Sequence, residues 1–316
     1  MNRRWKILVS APHLQGVLSR FQAMLDAHGI DPVIPPHRHR LEEADLLPLV
    51  ADIDGAICGD DAFTATVLAA APQLKVISKW GVGIDSIDLA AAAQRGIVVR
   101  NTPAALADPV ADTVLGYILS FARALPALDR AMKHGRWERG NARSLRECTL
   151  GVIGVGSIGR AVIRRAVAFG MRVFGYDVVD VEPAFLAETG TVVVPLEDLL
   201  AESDFVSLNC TLTPQTYHLI GAAELARMRP EAVLINTARG ALVDEPALIA
   251  ALQRRQIAGA ALDVFEEEPL PAGSPLRAMD HVLLGPHAAN ASPAAFDRVH
   301  DQAVRNLIEE LARWEG

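Results

Sequence analysis

Cysteine is scarce in this 316-residue chain: Cys58, Cys148 and Cys210 are the only three, and none stands in CxxC spacing. An odd count without paired spacing argues against a disulfide framework, and the reducing cytoplasm is the expected compartment. Long apolar runs are also missing. The most apolar stretch, Val114 to Ala122, is too short to span a bilayer and lies between Asp112 and Arg123, so no membrane role is expected. The opening string MNRRWKILVSAP has only a brief apolar run before Pro12 and reads as a first strand, not a signal peptide. There is no basic surplus. Thirty Lys and Arg against 38 Asp and Glu leave a net charge of −8, which makes nucleic acid an unexpected partner. Short-period repeats and low-complexity tracts are absent, and no metal is expected.

What is present is the composition of a globular protein with large cores, 51% hydrophobic and 22% charged, in a chain long enough for two domains. Short β-branched runs alternate with Ala/Leu-rich segments of helical period. Strands are expected at Lys6–Val9, Pro32–Ile34, Gly55–Ile57, Lys75–Ser78 and Ile97–Val99, with helices at Gly16–Ala27, Leu41–Val50, Thr64–Ala70 and Asp88–Gln94. A second set of strands begins at Thr149–Ile153. It continues at Arg172–Tyr176, Thr191–Val193, Phe205–Leu208, Ala232–Asn236, Ala258–Leu262 and His281–Leu284. Alternating β and α segments predict α/β architecture, with parallel sheets covered by helices on both faces. A helical stretch, Ala104–Ala124, separates the sets. The segment Leu125–Cys148 has weaker periodicity and fits an arm against another subunit or a solvated loop equally. The last helix, Pro293–Trp314, has no sheet of its own and is assigned to the first domain. The expected division is therefore 1–102 with 288–316, and 103–287.

Gly154-Val155-Gly156-Ser157-Ile158-Gly159 follows an apolar strand and opens a helix. Gly154 allows a tight turn, Gly156 lets the backbone approach a pyrophosphate, and Gly159 lets helix and strand pack closely. The helix start at Ser157 and Ile158 offers N–H groups and a partial positive charge to phosphate. Alone this spacing is a weak signal. Here the next strand ends in Asp177, 18 positions past the last glycine, as dinucleotide binding requires. Asp177 can accept from ribose hydroxyls and would repel a 2′-phosphate, which favours NAD over NADP.

Three more strands end in chemistry. Ala232 to Asn236 leads to Thr237-Ala238-Arg239-Gly240, and Arg239 has the planar fork that suits a carboxylate. An arginine bridging a helix C-terminus fits the local sequence equally. Ala260 to Phe265 carries Asp263, expected to face the cofactor ring, and runs into Glu266-Glu267-Glu268-Pro269. Glu266 and Glu267 read as a solvated charge run, whereas Pro269 restricts the backbone of Glu268. His287 follows a buried strand and Pro286, where a general base near neutral pH would sit. A carboxylate partner would fix its ring and favour its protonated form.

These strings, with Gly81-Val82-Gly83-Ile84-Asp85-Ser86-Ile87-Asp88, Asn101-Thr102-Pro103 and Val243-Asp244-Glu245, resemble the D-isomer-specific 2-hydroxyacid dehydrogenases from end to end. The resemblance implies two Rossmann-like, doubly wound parallel-sheet domains separated by a cofactor and substrate cleft. It also implies NAD as cofactor and a homodimer formed through the cofactor domain. It makes His287 the acid/base on the substrate oxygen, Glu268 its partner and Arg239 the carboxylate-binding cation. It places Val82 and Gly83 N–H groups, Lys79 and Asn101 on the substrate, and Cys210, Thr237 and Asp263 along the cofactor. Within the family the chain looks most like the 3-phosphoglycerate dehydrogenase branch without a regulatory domain. It departs from that branch at Gly59, where a phosphate-binding Arg is expected, with Asp60 and Asp61 beside it, and at Asn209, where relatives often have His. Reduction of glyoxylate, hydroxypyruvate or another small 2-keto acid is the alternative. An NADH-sensing corepressor is a reading of a different class, for which no partner-binding extension is visible. A non-redox NAD enzyme such as a homocysteine-forming hydrolase would not need Arg239, Glu268 and His287 in this order.

Overall fold

Five short strands, each followed by a helical segment, build the first of two compact units in the computed structural model, which describes residues 4–36 and 40–314. The opening Met1-Asn2-Arg3 lies outside the described residues. The unit comprises Met1–Leu106 and Ser292–Gly316. Its strands are β1 (Trp5–Val9), β2 (Ile30–Val33), β3 (Gly55–Cys58), β4 (Val76–Lys79) and β5 (Val98–Arg100). All pair in parallel in the order β2-β1-β3-β4-β5. The period-2 alternation of side chains feeds two cores. Ile7, Val9, Ile57 and Val76 face one, whereas Leu8, Ala56, Cys58 and Ile77 face the other. The helix Pro293–Ala312, capped by Ser292, covers the first face through Val299, Ala303, Val304 and Leu307. Ser78 Oγ donates to its Ala303 carbonyl at 2.8 Å, and Arg100 pairs with its buried Glu310.

The second unit, Ala107–Ala291, holds β6 (Thr149–Ile153), β7 (Arg172–Tyr176), β8 (Val192–Val193), β9 (Phe205–Leu208), β10 (Val233–Asn236), β11 (Gly259–Leu262) and β12 (Val282–Leu284). The parallel order is β12-β11-β10-β9-β6-β7-β8. Helices Ala107–Ala122 and Ser157–Ala168 pack on one face, and Leu196–Glu202, Ala222–Arg227 and Glu245–Gln253 on the other. The order in which successive strands are added reverses between β6 and β9. That switch point is where an open α/β sheet binds ligands, beyond its strand C-termini. In the first unit the equivalent point lies between β1 and β3.

Three expected elements differ. Gly16–Ala27 is not one helix. It is preceded by Pro12–Gln15, with Gly16 as C-cap, and then gives a 3₁₀ turn at Leu18–Phe21 and a helix at Gln22–Ala27. Leu41–Val50 is helical only over Glu43–Leu46, because Pro48 disfavours helix in the residue before it. The Leu125–Cys148 segment contains the helix Leu125–Lys133, entered through Ala124 in the left-handed region, and a 3₁₀ turn at Leu145–Glu147. Only Ala131 of that helix is buried. Among the described residues no helix is long and apolar enough to cross a membrane.

Candidate active site

The turn after β6 is shaped by its glycines. Gly154 has φ +91°, and a Cβ there would lie 2.5 Å from the Cys210 nitrogen at the end of β9. A Cβ on Gly159 would lie 2.0 Å from the Gly154 oxygen, which enforces the close contact of helix and turn. Around Gly156, by contrast, a Cβ would meet nothing within 4 Å, so the backbone is open to a ligand. Gly156 is the N-cap of Ser157–Ala168, and no side chain caps that helix. Its first N–H groups and dipole therefore face the switch point, an arrangement suited to a pyrophosphate.

Asp177 ends β7 beside this turn. Its Oδ2 accepts from Val155 N at 2.6 Å and its Oδ1 from Val179 N at 3.2 Å, so the carboxylate is fixed against the glycine turn. Cys210 lies across the switch point. Burial, with the Asp177 charge adding to it, pushes its thiol up to about 11, and it lines the site as a neutral group. Thr237 Oγ1, just past β10, and Asn209 Oδ1, just past β9, are buried polar atoms without a hydrogen-bond partner among the described residues. Orphaned polar atoms at strand ends, an uncapped helix start and open space at Gly156 together fit a dinucleotide.

The proposed reacting groups gather at the same sheet edge. His287 Nδ1 lies 2.7 Å from Glu268 Oε2, and Glu268 Oε1 accepts from Phe265 N at 3.0 Å. Burial pushes the Glu268 carboxyl up. The hydrogen bond and charge of His287, the Phe265 N–H and the Arg239 charge outweigh it, and the carboxyl lies below its ordinary value. Arg239 is half-buried, and its Nη1 donates to the Ala238 carbonyl at 2.9 Å. Asn236 shapes this turn by accepting from Ala238 N and donating to the Arg239 carbonyl.

His287 itself has φ +55°, an unusual conformation for a side chain with a Cβ. Asp263 holds it there. His287 N donates to the Asp263 carbonyl at 2.7 Å, and the buried Asp263 carboxylate accepts from Ala288 N and Ala289 N. Gly285 leaves room for this clamp, since a Cβ there would stand 2.2 Å from Asp263 Oδ1 and 2.6 Å from the Tyr117 hydroxyl. Burial, reinforced by the Asp263 charge, pushes the Tyr117 hydroxyl up to about 12. Asp263 was expected along the cofactor. Here it anchors the backbone that carries the histidine.

Glu266 is exposed, as a solvated charge run would be, but it also makes specific contacts. Glu266 Oε1 accepts from Glu245 N at 3.0 Å, Glu245 Oε2 accepts from Glu266 N at 3.2 Å, and His218 Nε2 lies 2.8 Å from Glu266 Oε1. The loop bearing Glu268 is thus tied to the start of the helix Glu245–Gln253. Three adjacent glutamates gave no sign of it, because the partners are remote in sequence.

The remaining predicted residues lie in the first unit. Gly81, at φ +121°, starts the loop after β4. Its carbonyl accepts from Thr102 N and Thr102 Oγ1, and that of Val82 accepts from Asn101 Nδ2 at 2.7 Å. With the carbonyls turned to 101–102, the Val82 and Gly83 N–H groups meet no acceptor among the described residues. Two consecutive N–H groups without an internal acceptor are available to an anion. Asn101 therefore orients this loop. Lys79 is buried at 3% exposure, 3.0 Å from Asp60 Oδ1 and 3.2 Å from the Trp80 carbonyl.

Residues 115–289 match the family described as D-isomer specific 2-hydroxyacid dehydrogenase, NAD binding domain. A glyoxylate reductase of Korarchaeum cryptofilum is 44% identical over 254 residues, 78% of this chain and 76% of that protein. A D-3-phosphoglycerate dehydrogenase of Methanocaldococcus jannaschii is 40% identical over 281 residues, 86% of this chain and 53% of that longer protein. Among solved structures, D-lactate dehydrogenase from Aquifex aeolicus, in complex with NAD and lactic acid, superposes with a TM-score of 0.85. It is 30% identical and covers 97% of both chains.

Proposed function

The chain belongs to the D-isomer specific 2-hydroxyacid dehydrogenases, and we propose that it reduces a small unphosphorylated 2-keto acid, of the glyoxylate or hydroxypyruvate class, with NADH. Glyoxylate reductases predominate among its relatives, and Gly59 stands where the phosphoglycerate branch carries a phosphate-binding Arg. The observation that carries the chemistry is the His287–Glu268 pair at 2.7 Å. With Nδ1 against the carboxylate, Nε2 is the ring nitrogen that would meet the substrate oxygen.

A nicotinamide dinucleotide held by the Gly154–Gly159 turn and Asp177 would supply the hydride for the keto carbon, or take one in the reverse direction. During reduction, protonated His287 gives the substrate oxygen its proton, so that keto acid, NADH and one proton become D-hydroxy acid and NAD⁺. Glu268 stabilises the imidazolium before transfer and holds its ring. Arg239 binds a carboxylate in its planar fork and draws charge toward the developing alkoxide. Asp263 keeps His287 in place, and the Val82 and Gly83 N–H groups offer an anion site on the first unit. Asp177 favours NADH, since a 2′-phosphate would meet its carboxylate.

Oxidation of NADH and NADPH against glyoxylate, hydroxypyruvate, pyruvate and 3-phosphohydroxypyruvate tests the reading. Higher kcat/KM for an unphosphorylated acid with NADH is expected. Clear preference for the phosphorylated compound would instead favour 3-phosphoglycerate dehydrogenase activity, the second reading, which the Methanocaldococcus relative supports.

A further inference from the structure

The loop that carries the Val82 and Gly83 N–H groups hangs between the end of β4 and residues 101–102, and the helix Pro293–Ala312 holds both. Asn306 Nδ2 donates to the carbonyl of Asn101, whose own amide donates to the Val82 carbonyl. Ser78 Oγ, in β4, donates to the Ala303 carbonyl. Trp80, immediately before Gly81, donates from Nε1 to His300 Nδ1 at 2.9 Å. Positions 300, 303 and 306 are spaced by three, so the three ties mark one face of the helix. Trp80 and His300 are both buried, at 6% and 4% exposure. The indole is confined by other rings as well. Phe296, one turn before His300, meets it edge-on with 5.2 Å between centroids, and His13 lies against it at 4.8 Å. Val82 packs against the same core. One residue, Gly81, separates this fixed indole from the first of the two N–H groups.

Of the three ties, only the Trp80–His300 bond depends on a titratable group. An indole N–H can only donate, so His300 must be neutral, with its proton on Nε2. An imidazolium would set one N–H against another across the same 2.9 Å. We infer that His300 is a positioning residue: its neutral ring, acting through Trp80, holds the Gly81–Gly83 loop in the form that binds the substrate carboxylate. This rests on the proposed reduction of a 2-keto acid and names what keeps that site in shape. The surroundings agree with a neutral ring. Burial opposes protonation of His300, Asp297 favours it, and Arg20 and His13 oppose it. Asp297 stands one turn earlier on the same helix and is paired at 2.6 Å with Arg20, from the turn Leu18–Phe21. His13 comes from the helix Pro12–Gln15, and burial disfavours its protonation too. Trp80, just past β4, faces His300 with an uncharged ring. His300 therefore titrates below the ordinary histidine value, and the imidazolium forms only as pH falls through that lowered value.

The experiment measures KM and kcat for glyoxylate reduction by NADH from about pH 8 to about pH 5 in wild type, His300→Asn and His300→Leu. Asn offers an acceptor oxygen in place of Nδ1 and does not titrate, whereas Leu fills the space and accepts nothing. In wild type KM should rise about tenfold toward acid, the worth of one hydrogen bond lost behind the loop. The proposed reacting groups do not produce such a rise: His287 gives its proton from the protonated form, and Glu268 stays ionised below the ordinary carboxylate value. His300→Asn should keep the wild-type KM at the alkaline end and lose the acid rise. His300→Leu should show the raised KM throughout. In both variants kcat and the Kd of NADH should stay within about twofold of wild type, since His287, Glu268, Arg239 and the glycine turn belong to the other unit. A flat wild-type KM, an acid rise retained in His300→Asn, or a wild-type KM in His300→Leu overturns the inference. A fall in kcat at constant KM does so too, because it marks a merely structural role. If His300→Leu does not fold, Trp80→Phe, which keeps an aromatic ring without the donor, is read in its place. If wild type reduces neither glyoxylate nor hydroxypyruvate, the proposed function fails, and the Kd of oxamate by calorimetry replaces KM with the same expectations. Absence of oxamate binding in wild type would then overturn the inference as well.

Discussion

Replacing Gly240 by Ala should disable the reaction while sparing the dinucleotide. The turn that carries Arg239 passes directly over the loop that carries Glu268. A Cβ on Gly240 would lie 1.9 Å from both the carbon and the oxygen of the Phe265 carbonyl, and 2.4 Å from Glu266 N. All three atoms are backbone, so no rotamer change relieves the clash. Ordinary contact begins near 3.4 Å, and the two segments would have to part by about 1.5 Å. Arg239 is the next residue in sequence on one side. Glu268 is attached on the other, through Phe265 N and the Glu245–Glu266 exchange. A 1 Å misplacement of a catalytic group costs on the order of 100-fold. The glycine turn at 154–159 lies after β6 and is untouched by the change. Gly240→Ala should therefore lower kcat/KM with glyoxylate by about 100-fold or more and cost about 1–3 kcal/mol of stability from overpacking. NADH titrated by fluorescence should bind within a few-fold of wild type. A folded variant with near-normal kcat/KM would refute the claim that this backbone contact sets the geometry. Loss of NADH binding in step with activity would refute the separation of the two sites.

Two further predictions concern carboxylates whose protonation the fold lowers. Glu268→Gln removes the anion beside His287, so kcat/KM should fall at least about tenfold and the pH at which the proton donor is lost should move down. An unmoved limb in the pH profile would detach Glu268 from the histidine. In the native protein Glu268 ionises more readily than an ordinary carboxylate, so its pairing is complete above the usual carboxylate range and is lost as pH falls through the lowered value. Asp204 behaves likewise in a structural role. Burial raises it, but Arg143 at 2.9 Å, the Thr149 N–H at 2.8 Å and the Arg229 charge bring it below its ordinary value. Asp204→Asn should cost about 1.5–3 kcal/mol, the worth of charged hydrogen bonds in a nearly buried group. The deficit in thermal unfolding should be full at neutral pH and shrink as acid protonates the native Asp204. A constant deficit across that range would remove its charge from the account.

How much of this was legible depended on where in the chain the partners lie. Gly154 to Gly159 and Asp177 could be read because helix, turn and strand end fall within one local βαβ unit. Arg239, Glu268 and His287 could be nominated because each follows an apolar strand of a parallel sheet, and strand C-termini share one edge. The Glu245–Glu266–His218 ties were hidden, since local composition makes three glutamates in a row look solvated. Asp60 and Asp61 looked like two equivalent acids. Ser10 and Leu41 distinguish the second of them, and Lys79 the first, through strand register that no window of sequence contains.

The two sheets treat their switch points differently, and that difference accounts for the placement of charge. In the second unit the gap between β6 and β9 is left to glycine, an uncapped helix start and unpartnered polar atoms. Every one of these features keeps backbone available to a large ligand carrying phosphates. In the first unit the gap between β1 and β3 is filled by the Asp61 carboxylate, with all three of its bonds made within the protein. A carboxylate so placed fills the crevice with the protein's own anion. What remains there for a ligand is the neighbouring loop at Val82 and Gly83, two N–H groups wide. A site of that size suits one carboxylate.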